Sequence, residues 1–184
     1  IDRMPGFAAF LTRDTEFNNG DYYVSLVRRR ELAEEYGSDL FVSLHLNSPG
    51  SESRKEVRGT EIYYFAYGDA SDAEAQALAN LENAADLDPV TTHSGDPVAE
   101  ILQDERLIAL SNQNSLLAGL ALNNILEADG LTSRGVKHAR FAVLKNPVPS
   151  ILIEMVFVTN PHEARLVSDP AWQVDVTQKV GSAL

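Results

Sequence analysis

The chain has 184 residues, 44% apolar and 23% charged, the size and composition of one folded domain with one sizeable core. A net charge of −12, with Arg28, Arg29 and Arg30 as the only tight basic group, argues against nucleic acid as a partner, since neutralising phosphates needs a basic face. No apolar run approaches the roughly 18 residues that cross a bilayer, and without cysteine any metal must be held by His, Asp or Glu.

In chain order, Phe7–Leu11 is a short apolar run after Pro5-Gly6 and reads as a buried strand. Asp21–Tyr36 reads as a helix, with Tyr22, Leu26, Arg29, Ala33 and Tyr36 recurring at helical steps and Gly37 closing it. DLFVSLH, ending at His45, is short, mostly apolar and bounded by turn residues, so a second buried strand is expected. Ser48, Pro49, Gly50 and Ser51 open a polar loop that lasts to Arg58, and Thr60–Phe65 is rich in β-branched and aromatic residues.

Ser71 and Glu74 form a capping box, predicting a helix from there to about Ala85. Asp96-Pro97 starts another helix, and Leu117, Ala118, Ala121, Leu122 and Ile125 continue a helical stripe towards Gly130. Arg140–Leu144 and Ser150–Met155 read as strands, and Asn160-Pro161 and Asp169-Pro170 open the last two helices. Strands alternating with helices predict an α/β fold, with a mixed, largely parallel sheet flanked by helices on both faces.

Two apolar strands end in groups capable of catalysis: one in His45, the other in Glu154. In open α/β sheets the ligand crevice lies beyond the carboxyl ends of the strands. A His and a carboxylate delivered there suit a metal-dependent hydrolase: neutral imidazole binds zinc, and a carboxylate moves protons. A lone His at a strand end is nevertheless more often structural; a Glu closing an apolar strand is the odder of the two, because a buried carboxylate without a partner is costly. The histidines 45, 93, 138 and 162 are far apart, no HExxH is present, and spacing alone demonstrates no metal site. Asn47 and Arg29 are candidate substrate contacts, with an ion pair under the sheet the plainer role for Arg29. Asn160 reads as a helix cap.

Three blocks in order, LTRDTEF…SLVRRRELAEEYGSDLFVSLHLNS, RGTEIYYF and RGVKHARFAVLKNPVPSILIEMVFVTNPHEARLV, resemble the zinc-dependent N-acetylmuramoyl-L-alanine amidases, and the resemblance covers essentially the whole chain. It implies that His45 is a zinc ligand. It also implies that Glu154 is the carboxylate that activates water for cleavage of the amide between muramic acid and L-alanine in peptidoglycan. The family's ligand set includes an earlier His and Glu that this sequence lacks. Residues 1–184 are therefore expected to be one catalytic domain, incomplete at its amino end and without the first strand. A periplasmic or cell-wall-associated location follows from the same resemblance.

Residues 78–114 exceed a simple crossover and resemble the insert of division-associated members, in which a helix covers the site until an activator protein displaces it. Glu82, Glu100, Asp104 and Glu105 are the candidate carboxylates for an open zinc position. A solvated helix face is the plainer reading for any one of them. Two other functions remain open at this point: an inactive peptidoglycan-binding module and a zinc carboxypeptidase-like peptidase.

Overall fold

A computed structural model describes residues 6–13, 23–48, 55–84 and 97–184, with the side chains of 97–100 excepted. The β-forming segments assemble β1 (Phe41–Asn47), β2 (Thr60–Phe65), β3 (Ser133–Ala139) and β4 (Ser150–Phe157) into one sheet of order β1-β4-β2-β3. β1 runs parallel to β4 and β2 to β3, whereas β2 and β4 are antiparallel. The sheet is mixed and largely parallel, as the sequence pattern implied. β4 lies inside the sheet and must be apolar on both faces; Ile151, Leu152 and Ile153 are fully buried.

Residues alternate across the sheet and so divide the core in two. On one face, Phe41, Tyr63, Phe65 and Leu152 pack with Ala33 of α1 (Leu26–Glu35) and with Ala75 and Ala79 of α2 (Ala73–Ala84). On the other, Ile62, Ile151, Ile153 and Val156 meet α3 (Pro97–Ile125) and α5 (Pro170–Ala183), which contribute Ala118, Ala121, Ile125, Trp172 and Val176. α4 (Pro161–Val167) follows β4 directly. Among the described residues no helix is long and apolar enough to cross a membrane.

Local chemistry sets the helix ends. Ser25 caps α1 by accepting from the Arg28 amide at 3.2 Å. Gly37, at φ 60°, closes it: the Gly37 amide donates to the Glu34 carbonyl and the Ser38 amide to the Ala33 carbonyl, the paired bonds of a Schellman stop. Asn160 caps α4 through the amides of His162 and Glu163, and Asp169 caps α5 through that of Ala171. α3 is held to β4 by buried Asn114, which accepts from the Ser150 amide at 3.0 Å.

Several expected elements differ. Phe7–Leu11 is no buried strand: Phe7, Phe10 and Leu11 are exposed, and Phe10 stacks on Tyr36 with ring centroids 4.4 Å apart. An apolar run becomes a strand only where a neighbour accepts its backbone bonds, and no described strand pairs with this one. β1 is an edge strand, with Leu44 and Leu46 exposed rather than buried. The strand read at Arg140–Leu144 is instead a 3₁₀ turn at Ala142–Leu144. Asn83 clasps it, donating to the Arg140 carbonyl and accepting from the Ala142 amide. The true strand, β3, lies earlier, where Arg134 and Lys137 obscure the apolar alternation.

Asp72, not Ser71, caps α2, because the Ser71 hydroxyl faces the His138 ring and accepts from the His138 amide. The first helix begins at Leu26, behind its Ser25 cap, rather than at Asp21. The turn residues 49–51 and the cap at Asp96 lie outside the described residues.

Candidate metal centre at the sheet rim

The antiparallel pairing of β2 with β4 brings the carboxyl ends of β1 and β4 to the same rim as the amino ends of β2 and β3. There His45 pairs in register with Glu154, and Glu154 with Glu61, so three adjacent strands set three polar side chains in one row. Residues opposite one another in a ladder project from the same face. That face is the one α2 covers, and Glu82 near the end of α2 enters the group from above.

His45 Nδ1 lies 3.4 Å from Glu82 Oε2 and 3.9 Å from Glu154 Oε1. The other ring nitrogen, Nε2, is 3.0 Å from the Ser43 hydroxyl, two residues back on the same face of β1. In the tautomer whose Nε2–H donates to Ser43, the imidazole turns a Nδ1 lone pair towards the carboxylates, the orientation that a hydrogen-bonded ligand histidine requires. One ligand atom from each of His45, Glu82 and Glu154 falls within 4.8 Å of the others, the one such group among the described residues.

Glu154 is 1% exposed and its Oε2 has no hydrogen-bond partner. Burial foremost, then the charges of Glu82 and Glu61, push its carboxyl up to about 9. Burial likewise lowers the His45 pKa; Glu82 opposes this, while Arg29 and Arg13 add to it. Without a counter-charge, burial favours the neutral imidazole and the protonated Glu154 carboxyl. A divalent cation answers both defects at once, giving the orphaned oxygen a partner and the crowded carboxylates a positive charge. One imidazole with carboxylates is a donor set that suits zinc. The residues fit the ion.

Beside this group is a cavity of about 290 Å³ between α2 and the sheet. Its polar wall is a network that the sequence did not single out. Buried Glu61 accepts from Asn47 Nδ2, from Arg134 Nε and from Lys137 Nζ, each at 3.0 Å. Arg134 reaches on to Glu74 of α2 at 2.7 Å, and Lys137 to Asp72 at 3.2 Å. The available signal was the face: Glu61 shares a strand face with Tyr63 and Phe65, so a charge stands on an otherwise apolar stripe.

Of the residues singled out in the sequence, His45, Glu154 and Glu82 are brought together and Asn47 lines the neighbouring cavity. Arg29 donates through Nε to the Val24 carbonyl at 3.0 Å and acts on His45 through its charge. Asp104 lies elsewhere, accepting from the Tyr67 hydroxyl and standing 3.9 Å from Lys145 Nζ. Glu105 is exposed on α3, and the side chain of Glu100 lies outside the described residues.

Comparison with known proteins shows the family and the fold. The chain is 34% identical over 189 residues to N-acetylmuramoyl-L-alanine amidase AmiA of Escherichia coli K12, the match taking in all of this chain and 61% of AmiA. It is 30% identical to AmiC of Neisseria meningitidis serogroup B over 97% of this chain and 42% of AmiC. The chain therefore spans about three fifths or less of these relatives. The fold is shared with the catalytic domain of CwlV, an amidase from Bacillus (Paenibacillus) polymyxa, at a TM-score of 0.61 and 23% identity, over 97% of this chain and 71% of that one. The Amidase_3 model, N-acetylmuramoyl-L-alanine amidase, matches residues 4–184, and the chain belongs to that family.

Proposed function

We propose that this chain carries the reaction centre of a zinc-dependent enzyme that hydrolyses the amide between N-acetylmuramic acid and L-alanine in peptidoglycan. Its place of work is the periplasm or cell wall, in wall remodelling or the separation of daughter cells. The observation that carries this reading is the register pairing of His45 with Glu154, a buried carboxyl pushed up to about 9.

A zinc ion there would be held by His45 Nδ1, with Glu82 as a further ligand while the site is closed. When bound, it supplies a Lewis acid that polarises the amide carbonyl and acidifies water. Glu154 is placed to take a proton from the attacking water and return it to the departing nitrogen. The water oxygen joins the lactyl carbonyl carbon, the C–N bond breaks, and the products are a lactyl carboxylate and the free amine of L-alanine. Ser43 fixes the imidazole, and Asn47 is offered as a polar contact to substrate.

Residues 78–114 act as a regulatory insert, and the carboxylate that closes the site is Glu82. Its 3.4 Å approach to His45 supports this role, because the same space must receive water and the amide. An activator protein that lifts α2 would remove Glu82. Ile101, Leu102 and Ile108, exposed on the outer side of α3, support such a partner.

The test uses zinc-loaded full-length enzyme on purified sacculi. Glu154→Gln should lower hydrolysis by about 10³-fold with zinc still bound, and His45→Ala should lose both. Glu82→Ala and deletion of residues 86–104 should each raise basal hydrolysis. The products distinguish the alternatives: a new amino-terminal alanine marks an amidase, a released carboxy-terminal residue a peptidase, and no product a binding module. Near-wild-type turnover by Glu154→Gln would remove the role given to that residue.

A further inference from the structure

The opposite end of α2 also lies on a charged site. The Arg134 guanidinium is fixed from behind, by buried Glu61 through Nε at 3.0 Å and by the Phe157 ring, whose centroid is 5.2 Å away. Its outer edge faces the 290 Å³ cavity and holds Glu74 of α2 at 2.7 Å through Nη2. Glu74 is half exposed, so water screens this pair, and the carboxylate is easily exchanged for another. The anchoring of Arg134 does not depend on Glu74. A guanidinium oriented in advance binds a planar carboxylate with little ordering cost.

Glu74 and Glu82 are eight residues apart on one helix, ~12 Å along its axis. One helix thus lays one carboxylate against His45 and a second against Arg134. A peptide leaving the cut amide in extended form covers that distance in about three to four residues. We propose that Arg134 binds a carboxylate of the substrate's stem peptide, and that Glu74 takes the place of that carboxylate while α2 is seated. The inference rests on the amidase reading above and adds to it the class of ligand, an acidic peptide, and the residue that receives it.

The test uses zinc-loaded full-length enzyme and two soluble muramyl peptides, one with free stem carboxylates and one with the same groups as carboxamides. The wild type should show a KM about 10-fold lower for the free acid at similar kcat. Arg134→Gln should raise the free-acid KM to that of the carboxamide; Lys137 remains on Glu61 in this variant, so the buried carboxylate keeps a cation. Glu74→Gln, a surface change that does not threaten folding, should lower the free-acid KM severalfold and leave the carboxamide KM unchanged. Equal KM values for the two peptides in the wild type would overturn the proposal. So would discrimination surviving in Arg134→Gln, or a Glu74→Gln variant in which neither KM moves. Failure of both the wild type and Glu82→Ala to cleave either peptide would overturn the amidase reading, and this inference with it.

Discussion

Two regions each bury a glutamate almost completely, and they treat it in opposite ways. At the start of α4, Glu163 is 0% exposed, and each of its oxygens accepts a backbone amide at 2.7 Å, from Gly59 and from Phe157. That carboxylate ties the entry of β2 to the exit of β4. At the rim, Glu154 is 1% exposed, faces Glu82 and Glu61 and leaves one oxygen unpartnered. A satisfied buried carboxylate is a structural brace, and an unsatisfied one reserves its oxygens for something the chain does not supply. Burial alone would not have separated them.

The comparison breaks most visibly at Glu163. Glu163→Ala strands two buried amides and should destabilise the protein by about 3–5 kcal/mol in urea titrations. Gly59→Ala attacks the same brace through the backbone. Gly59 stands at φ +113°, and an added Cβ would lie 2.7 Å from the Thr132 carbonyl oxygen. The expected cost is about 2–3 kcal/mol. Combined with Glu163→Ala it should be clearly less than additive, because both changes break one contact.

The rim should respond with the reverse sign. The Glu154 carboxyl sits above its ordinary value, so the folded, metal-free protein holds a proton there that the unfolded chain releases near pH 4.5. Its contribution is intact below that pH and is lost as pH rises towards about 9. Glu154→Gln should therefore flatten the decline and stabilise the metal-free protein at pH 8 by roughly 1–2 kcal/mol. Thermal denaturation across pH reads this directly. A metal-free variant less stable than wild type at pH 8 would show that the carboxylate is a brace after all.

The sheet was legible in the sequence wherever burial is two-sided or caps are explicit. β4 announced itself by the apolar run Ile151–Ile153 ahead of Glu154, and α4 and α5 by Asn160-Pro161 and Asp169-Pro170. β3 was missed because an edge strand carrying Arg134 and Lys137 shows little alternation, and the apolar stretch after it, Phe141–Leu144, serves the core as a turn. His45 and Glu154 could be named from their strand ends, but not their adjacency, which depends on strand order. Glu82 could be named only within a set of four acids. Position along α2 distinguishes it from Asp104, which the fold sends to Tyr67 and Lys145. The Glu61 network stayed hidden because its members come from β1, β2 and β3, far apart in sequence.

The antiparallel seam between β2 and β4 has a further consequence for how such a domain can diversify. It makes three chain segments open onto one mouth: the one that leaves β1 and enters β2, the one that leaves β4 and the one that enters β3. Lengthening or recolouring any of these segments reshapes the mouth without disturbing a ladder, so ligand preference can be tuned piecemeal around an unchanged scaffold.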